Sequence, residues 1–165
     1  MAKFEFYKST IVADSVILLS NPTEGRKGLG AETFMNKLTG DYNGYTDKWI
    51  GFRKQPLEVI YEFKEPVLLS SVGMHIMVDG YSGIFPPASL EVWGGTEKTS
   101  MKLLGQLIPP QPGKKDKESL VLIQKPISPS TVQYLKIVAK PLAKIPALYK
   151  LKDHPLLLVD EILLN

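Results

Sequence analysis

Residues 57–63 alternate without a break: Leu57, Val59, Tyr61 and Phe63 fall on one side, Glu58, Ile60 and Glu62 on the other. A period of two is the signature of a strand with one face in a core and the other in water. Similar short segments recur along the chain. Residues 11–19, 66–78, 89–93, 102–107, 119–125, 133–139 and 156–164 all read as strands, and each is bounded by Gly, Pro, Asn or Ser turn chemistry. Residues 32–38 read as a short helical turn. Thirteen Gly and thirteen Pro in 165 residues suit many short strands better than a helical bundle. Eight or so strands with turns between them predict an all-β, antiparallel sandwich of the jelly-roll kind.

The length is that of about one domain, and a chain of this size buries enough surface to need no covalent staples. Residues 1–165 are therefore expected to form a single β-sandwich domain, with 1–9 as a leader and 10–165 as the core. Charge excludes some partners: 20 basic against 17 acidic residues leave a net +3, too little for a nucleic-acid surface. The one dense basic run, Lys114, Lys115 and Lys117, is broken by Asp116 and reads as a solvated loop. With no cysteine there are neither disulfides nor thiolate metal sites. No apolar run reaches the ~18 residues of a membrane span, and residues 1–10 lack the apolar stretch of a signal peptide.

Catalytic chemistry is hard to find. Gly25, Gly28 and Gly30 have the wrong order for a dinucleotide loop and are followed by no βαβ unit. The two histidines, His75 and His154, sit in a strand pattern and a proline loop and are expected to be structural or superficial. No nucleophile elbow is present. The chain is expected not to be an enzyme. Aromatic residues say more. Tyr42 and Tyr45 lie close to Arg53, and Tyr81 and Phe85 fall in a second loop. Aromatic faces with a few hydrogen-bonding groups hold sugars or side chains in shallow sites, so these five are the candidate ligand residues. Trp49 and Phe52 are expected to pin their loop to the core.

Five stretches, in order, carry a resemblance. Residues 37–52 run K-L-T-G-D-Y-N-G-Y-T-D-K-W-I-G-F, residues 57–63 form an alternating strand, 83–93 read G-I-F-P-P-A-S-L-E-V-W, 133–140 read Q-Y-L-K-I-V-A-K, and 159–162 read V-D-E-I. Together they resemble the discoidin-like, galactose-binding-like (coagulation factor type C) family, in the form appended to exported glycosidases of Bacteroidetes. The family pattern departs at Leu148-Tyr149, where members carry Trp-His, and at Leu157 or Leu158, where members carry an aromatic residue.

The resemblance implies an eight-stranded jelly roll and one structural calcium. It points to Asp41 and Glu161 as carboxylate ligands, Thr46 through hydroxyl or carbonyl, and Lys37 and Asn43 through backbone carbonyls. A hard cation of this kind takes six to eight oxygens. It further implies a non-catalytic carbohydrate-binding or cell-surface adhesion module of a larger exported chain. Its partners would be a glycan and neighbouring domains of the same chain, without nucleic acid or membrane insertion, and its setting extracytoplasmic. The alternative is a structural accessory or protein-interaction domain that binds no sugar.

Overall fold

The computed structural model describes residues 9–35, 40 and 48–165. Among the described residues seven antiparallel strands form the architecture: β1 (Ser15–Leu18), β2 (Ile50–Phe52), β3 (Leu57–Val78), β4 (Ser89–Gly95), β5 (Lys102–Leu107), β6 (Ser119–Lys140) and β7 (Leu157–Leu164). Helical structure among the described residues is confined to short 3-10 turns. One of them, Gly30–Phe34, stands where a helical turn is expected at 32–38.

Two strands are twice as long as the sequence suggests. The breaks at Lys64-Glu65-Pro66 and around Pro126 and Pro129 read as turns, yet β3 and β6 each run through them for 22 residues. The reason is register. The β3–β6 pairing shifts between Glu62 and Val67 and again between Leu69 and Ser71. Proline, which has no N–H to give a ladder, is tolerated at such irregularities. The strands bend there instead of ending.

Each long strand consequently serves two layers. The first half of β3 pairs with β1 and with the second half of β6, which continues to β4 and β5. The second half of β3 pairs with β7, which carries β2, and with the first half of β6. The alternation of residues 57–63 holds: Leu57, Val59, Tyr61 and Phe63 are buried in the main core. Facing them from the other layer are Val72, Met74, Ile76, Leu157, Val159, Ile162 and Leu164. A fully buried aliphatic side chain contributes about 1.5–3 kcal/mol, so this interior dominates stability.

β7 keeps its inward side through a bulge. His75 stands opposite Glu161 but the next residue, Ile76, stands opposite Val159, so Asp160 is an extra residue. Leu157 and Val159 face the core before it, Ile162 and Leu164 after it. Without the extra residue, a period of two would turn one pair outward.

Loops 53–56, 79–88, 108–118 and 141–156 join strand ends that the registers place together, so all four gather at one end of the sandwich. The opposite end holds the bends of β3 and β6 and both termini of the described chain. There Thr10 and Ile11 donate to the Leu164 carbonyl at 3.0 and 3.1 Å.

Candidate functional site

Three aromatic rings organise the loop end. Tyr81 follows Asp79, whose carboxylate accepts from the Ser82 N–H and starts a 3-10 turn. The turn closes at Gly83, whose φ of 79° is a conformation glycine adopts without strain. This leaves the Tyr81 ring 58% exposed. Its hydroxyl donates to the Lys114 carbonyl at 2.7 Å, and its ring meets the Tyr149 ring edge-on, with centroids 5.3 Å apart. Tyr149 in turn meets Phe85 at 5.2 Å. The Tyr149 hydroxyl donates to the carbonyls of Pro112, at 3.0 Å, and Gly113, at 3.3 Å. Burial first, then Tyr81 and Asp116, holds that hydroxyl above the ordinary phenol pKa. A Cβ on Gly80 would lie 2.4 Å from the Tyr149 ring, so only glycine allows this seat. Tyr149 thus ties loops 79–88, 108–118 and 141–156 together.

Arg53 leaves β2 on the other flank of loop 141–156. Its guanidinium lies 3.6 Å from the Asp153 carboxylate, and its backbone N–H donates to the Thr23 hydroxyl at 2.9 Å. Its Nε is shielded from solvent and has no hydrogen-bond acceptor. Beyond loop 108–118 opens a cavity of 360 Å³ walled by Pro86, Pro110, Pro112, Val121 and Ile123, with Gln111 and Asp116 as polar groups.

A second polar group lies buried beside Gly40 and Trp49. Asp160, fully buried, accepts from His75 Nδ1 at 2.6 Å and from the Gly40 backbone N–H. A carboxylate only accepts, so Nδ1 carries the proton. Trp49 stacks on the imidazole with centroids 6.1 Å apart and lies across Gly40, where a Cβ would be 2.1 Å from the indole. Met77, Leu156 and Leu158 complete the pocket for Trp49. Glu161, also buried, lines a neighbouring crevice with Ala13, Phe34 and Tyr61. Burial first, then Glu161, pushes the Tyr61 hydroxyl well above the usual phenol range.

With this geometry the chain matches solved structures of known modules. It covers 91% of its own length and 31% of a truncated AlyQ with CBM32 and alginate lyase domains, at TM-score 0.54 and 10% identity. Against a pectin-binding carbohydrate-binding module the shares are 94% and 92%, at TM-score 0.57 and 12% identity. Against chitosan-binding module 2 of a Paenibacillus sp. IK-5 chitosanase/glucanase, solved with chitotriose, they are 93% and 96%, at TM-score 0.53 and 10% identity. The fold is the antiparallel β-sandwich of these carbohydrate-binding modules. The chain therefore spans less than a third of the truncated AlyQ but nearly the whole of the isolated modules. No protein-family model and no curated protein sequence matches it.

In this sandwich Tyr81 and Arg53 both lie at the loop end, on loops 79–88 and 53–56. Phe85 does not face a ligand: it is 1% exposed, because the chain turns at Gly83 and drives it between Ile145 and Tyr149. Tyr42, Tyr45, Lys37, Asp41, Asn43 and Thr46 lie outside the described residues. Trp49 and Phe52 are core residues, as expected. Tyr149 was missed as a site residue. It stands in Leu148-Tyr149, where the resembled family carries Trp-His, and its ring is the internal brace of the loop end. Among the described residues no three His, Asp or Glu side chains converge on a point. No helix among them is long and apolar enough to cross a membrane.

Proposed function

We propose that the chain is a non-catalytic carbohydrate-binding module whose loop end holds the glycan. The observation that carries this is the exposed Tyr81 ring, braced by Tyr149 at the loop end, on a fold that sugar-binding modules share. An aromatic face takes the apolar face of a sugar ring, and the partly exposed end of the Arg53 guanidinium, 3.6 Å from Asp153, brings hydrogen-bond donors to the same loop end. The module would serve a longer extracytoplasmic chain. Isothermal calorimetry against an oligosaccharide panel, with calcium present, tests it. Binding is expected, and Tyr81→Ala should weaken it about tenfold, equivalent to about 1.4 kcal/mol. No heat up to millimolar sugar overturns the reading.

We further propose a structural calcium held by Glu161 from the closing strand together with Asp41, Thr46 and the carbonyls of Lys37 and Asn43. The donor chemistry supports this: Glu161 is a buried carboxylate on the closing strand, the class of oxygen donor a hard cation takes. The cation would tether residues 37–46 to the closing strand. Calcium at a hundred times its dissociation constant should stabilise by about 2.7 kcal/mol. The expected result is a melting temperature that rises with calcium, falls with chelator and stops responding in Glu161→Gln. An unresponsive wild type rejects the site.

An accessory role without sugar has one observation in its favour. Leu148 and Leu151 are 43% and 39% exposed on the loop that also carries Tyr149. Under that reading a protein partner covers these leucines, and the calorimetric panel stays silent.

A further inference from the structure

The outward face of the layer built from β1, β5, β4 and the paired halves of β3 and β6 is unlike an ordinary solvated sheet face. The registers set Ile17, Ile60, Lys136, Trp93 and Leu103 in one row across five strands. Tyr134 stands in the adjacent row, opposite Gly95. Trp93 and Tyr134 are thereby diagonal cross-strand neighbours, a relation that sets Cα atoms about 7–8 Å apart. Trp93 and Tyr134 are both half-buried, and the hairpin backbone at 97–101 fills the space beside Gly95.

The indole is held in a particular pose. Its Nε1–H donates at 3.0 Å to Glu91, two residues back on the same face of the same strand. The ring therefore lies along β4 rather than standing off it. The same carboxylate receives Lys140 at 3.1 Å. With its one polar edge satisfied, what the indole offers outward is a π face. Beneath, Ile60 and Val138 are only 6% and 5% exposed despite pointing away from the core. The charges on this face pair off: Glu91 with Lys140, Glu58 with Lys136 at 4.0 Å, and Glu62 with Lys98 at 2.8 Å. Three acids meet three bases, leaving no excess for an anionic polymer.

We infer that this face is a second glycan surface, a flat platform on which a neutral polysaccharide chain stacks against Trp93 and Tyr134. The inference rests on the carbohydrate-binding reading but on a different surface from the loop end. The electron-rich π faces complement the weakly positive C–H faces of sugar rings. The paired carboxylates and ammonium groups offer acceptors and donors to hydroxyls without favouring a charged ligand.

The test is a depletion isotherm on the intact protein with insoluble cellulose, chitin, mannan and β-1,3-glucan, and with polygalacturonate as an anionic control. It is run beside calorimetry with short oligosaccharides. The wild type should be retained on at least one neutral polymer. Trp93→Leu keeps an apolar cover but loses the π face, and should weaken that retention at least tenfold, as should Tyr134→Leu. Both variants should keep a wild-type circular-dichroism spectrum and unchanged oligosaccharide heats. Tyr81→Ala should weaken oligosaccharide binding about tenfold and keep polymer retention. Equal retention of Trp93→Leu and wild type overturns the platform, as does retention on polygalacturonate alone. So does a wild type that sediments as a dimer which Trp93→Leu dissociates, since a second copy would then own the face. Oligosaccharide heats without polymer retention reject the platform while leaving the loop-end reading intact; loss of both signals in the wild type rejects both.

Discussion

At the scale of single residues, Asp160 is the side chain on which most depends. Its two oxygens hold the His75 ring and the Gly40 amide, and Trp49 fills the space above them. Asp160→Ala strands two buried donors, at about 1–3 kcal/mol each. For a chain of this length each kcal/mol lowers the melting temperature by about 2–4 °C, which a thermal scan reads directly. Glu91 supplies a pH signature. The Trp93 hydrogen bond first, then Lys140, holds its carboxyl below the usual value, against the opposing effect of burial. Because the folded value is the lower one, its stabilising effect is complete above the unfolded carboxyl pKa of about 4.3. It is lost as pH falls through the folded value. Indole fluorescence should show an acid transition in that window, absent in Glu91→Gln. An identical transition in the variant would detach it from this pair. The Asp160-Glu161 pair was visible in sequence as charge inside an apolar strand, but its partner was not: nothing local says that His75, 85 residues away, meets it.

At the scale of elements, β7 works because the bulge restores its phase after Val159. Asp160→Asn keeps the extra residue and should fold with reduced stability. Deleting residue 160 removes it and should turn Ile162 and Leu164 away from the core, abolishing the cooperative urea transition. A deletion variant no less stable than Asp160→Asn would show that β7 can slip without cost. Strand identity was legible wherever alternation or apolar runs were strong, as in residues 57–63 and 89–93. β2 was missed because three residues, Ile50–Phe52, are too few to show a period. The joins within β3 and β6 were misread because proline marks a turn and a bent strand equally well.

At the scale of the molecule, the loop end is one assembly because Tyr149 binds three loops with one ring and one hydroxyl. Tyr149→Ala should speed amide hydrogen exchange in residues 79–88 and 108–118 by about tenfold or more, while amides of β3 and β6 stay protected. A uniform change across the protein would place Tyr149 in the global core instead. That assembly was illegible beforehand, since it joins segments spaced tens of residues apart through ring edges and backbone carbonyls. The two strands shared by both layers have a mechanical meaning as well. In a sandwich of independent sheets, shear can slide one sheet across the other. Here a force that drags the layers apart must also straighten the bends at residues 63–70 and 126–131, so the load passes into the backbone of β3 and β6 themselves. A module anchored to a polymer at one surface and tethered at its termini would carry tension along its two longest strands, and its resistance would come from their shared ladder rather than from the apolar contact between the sheets.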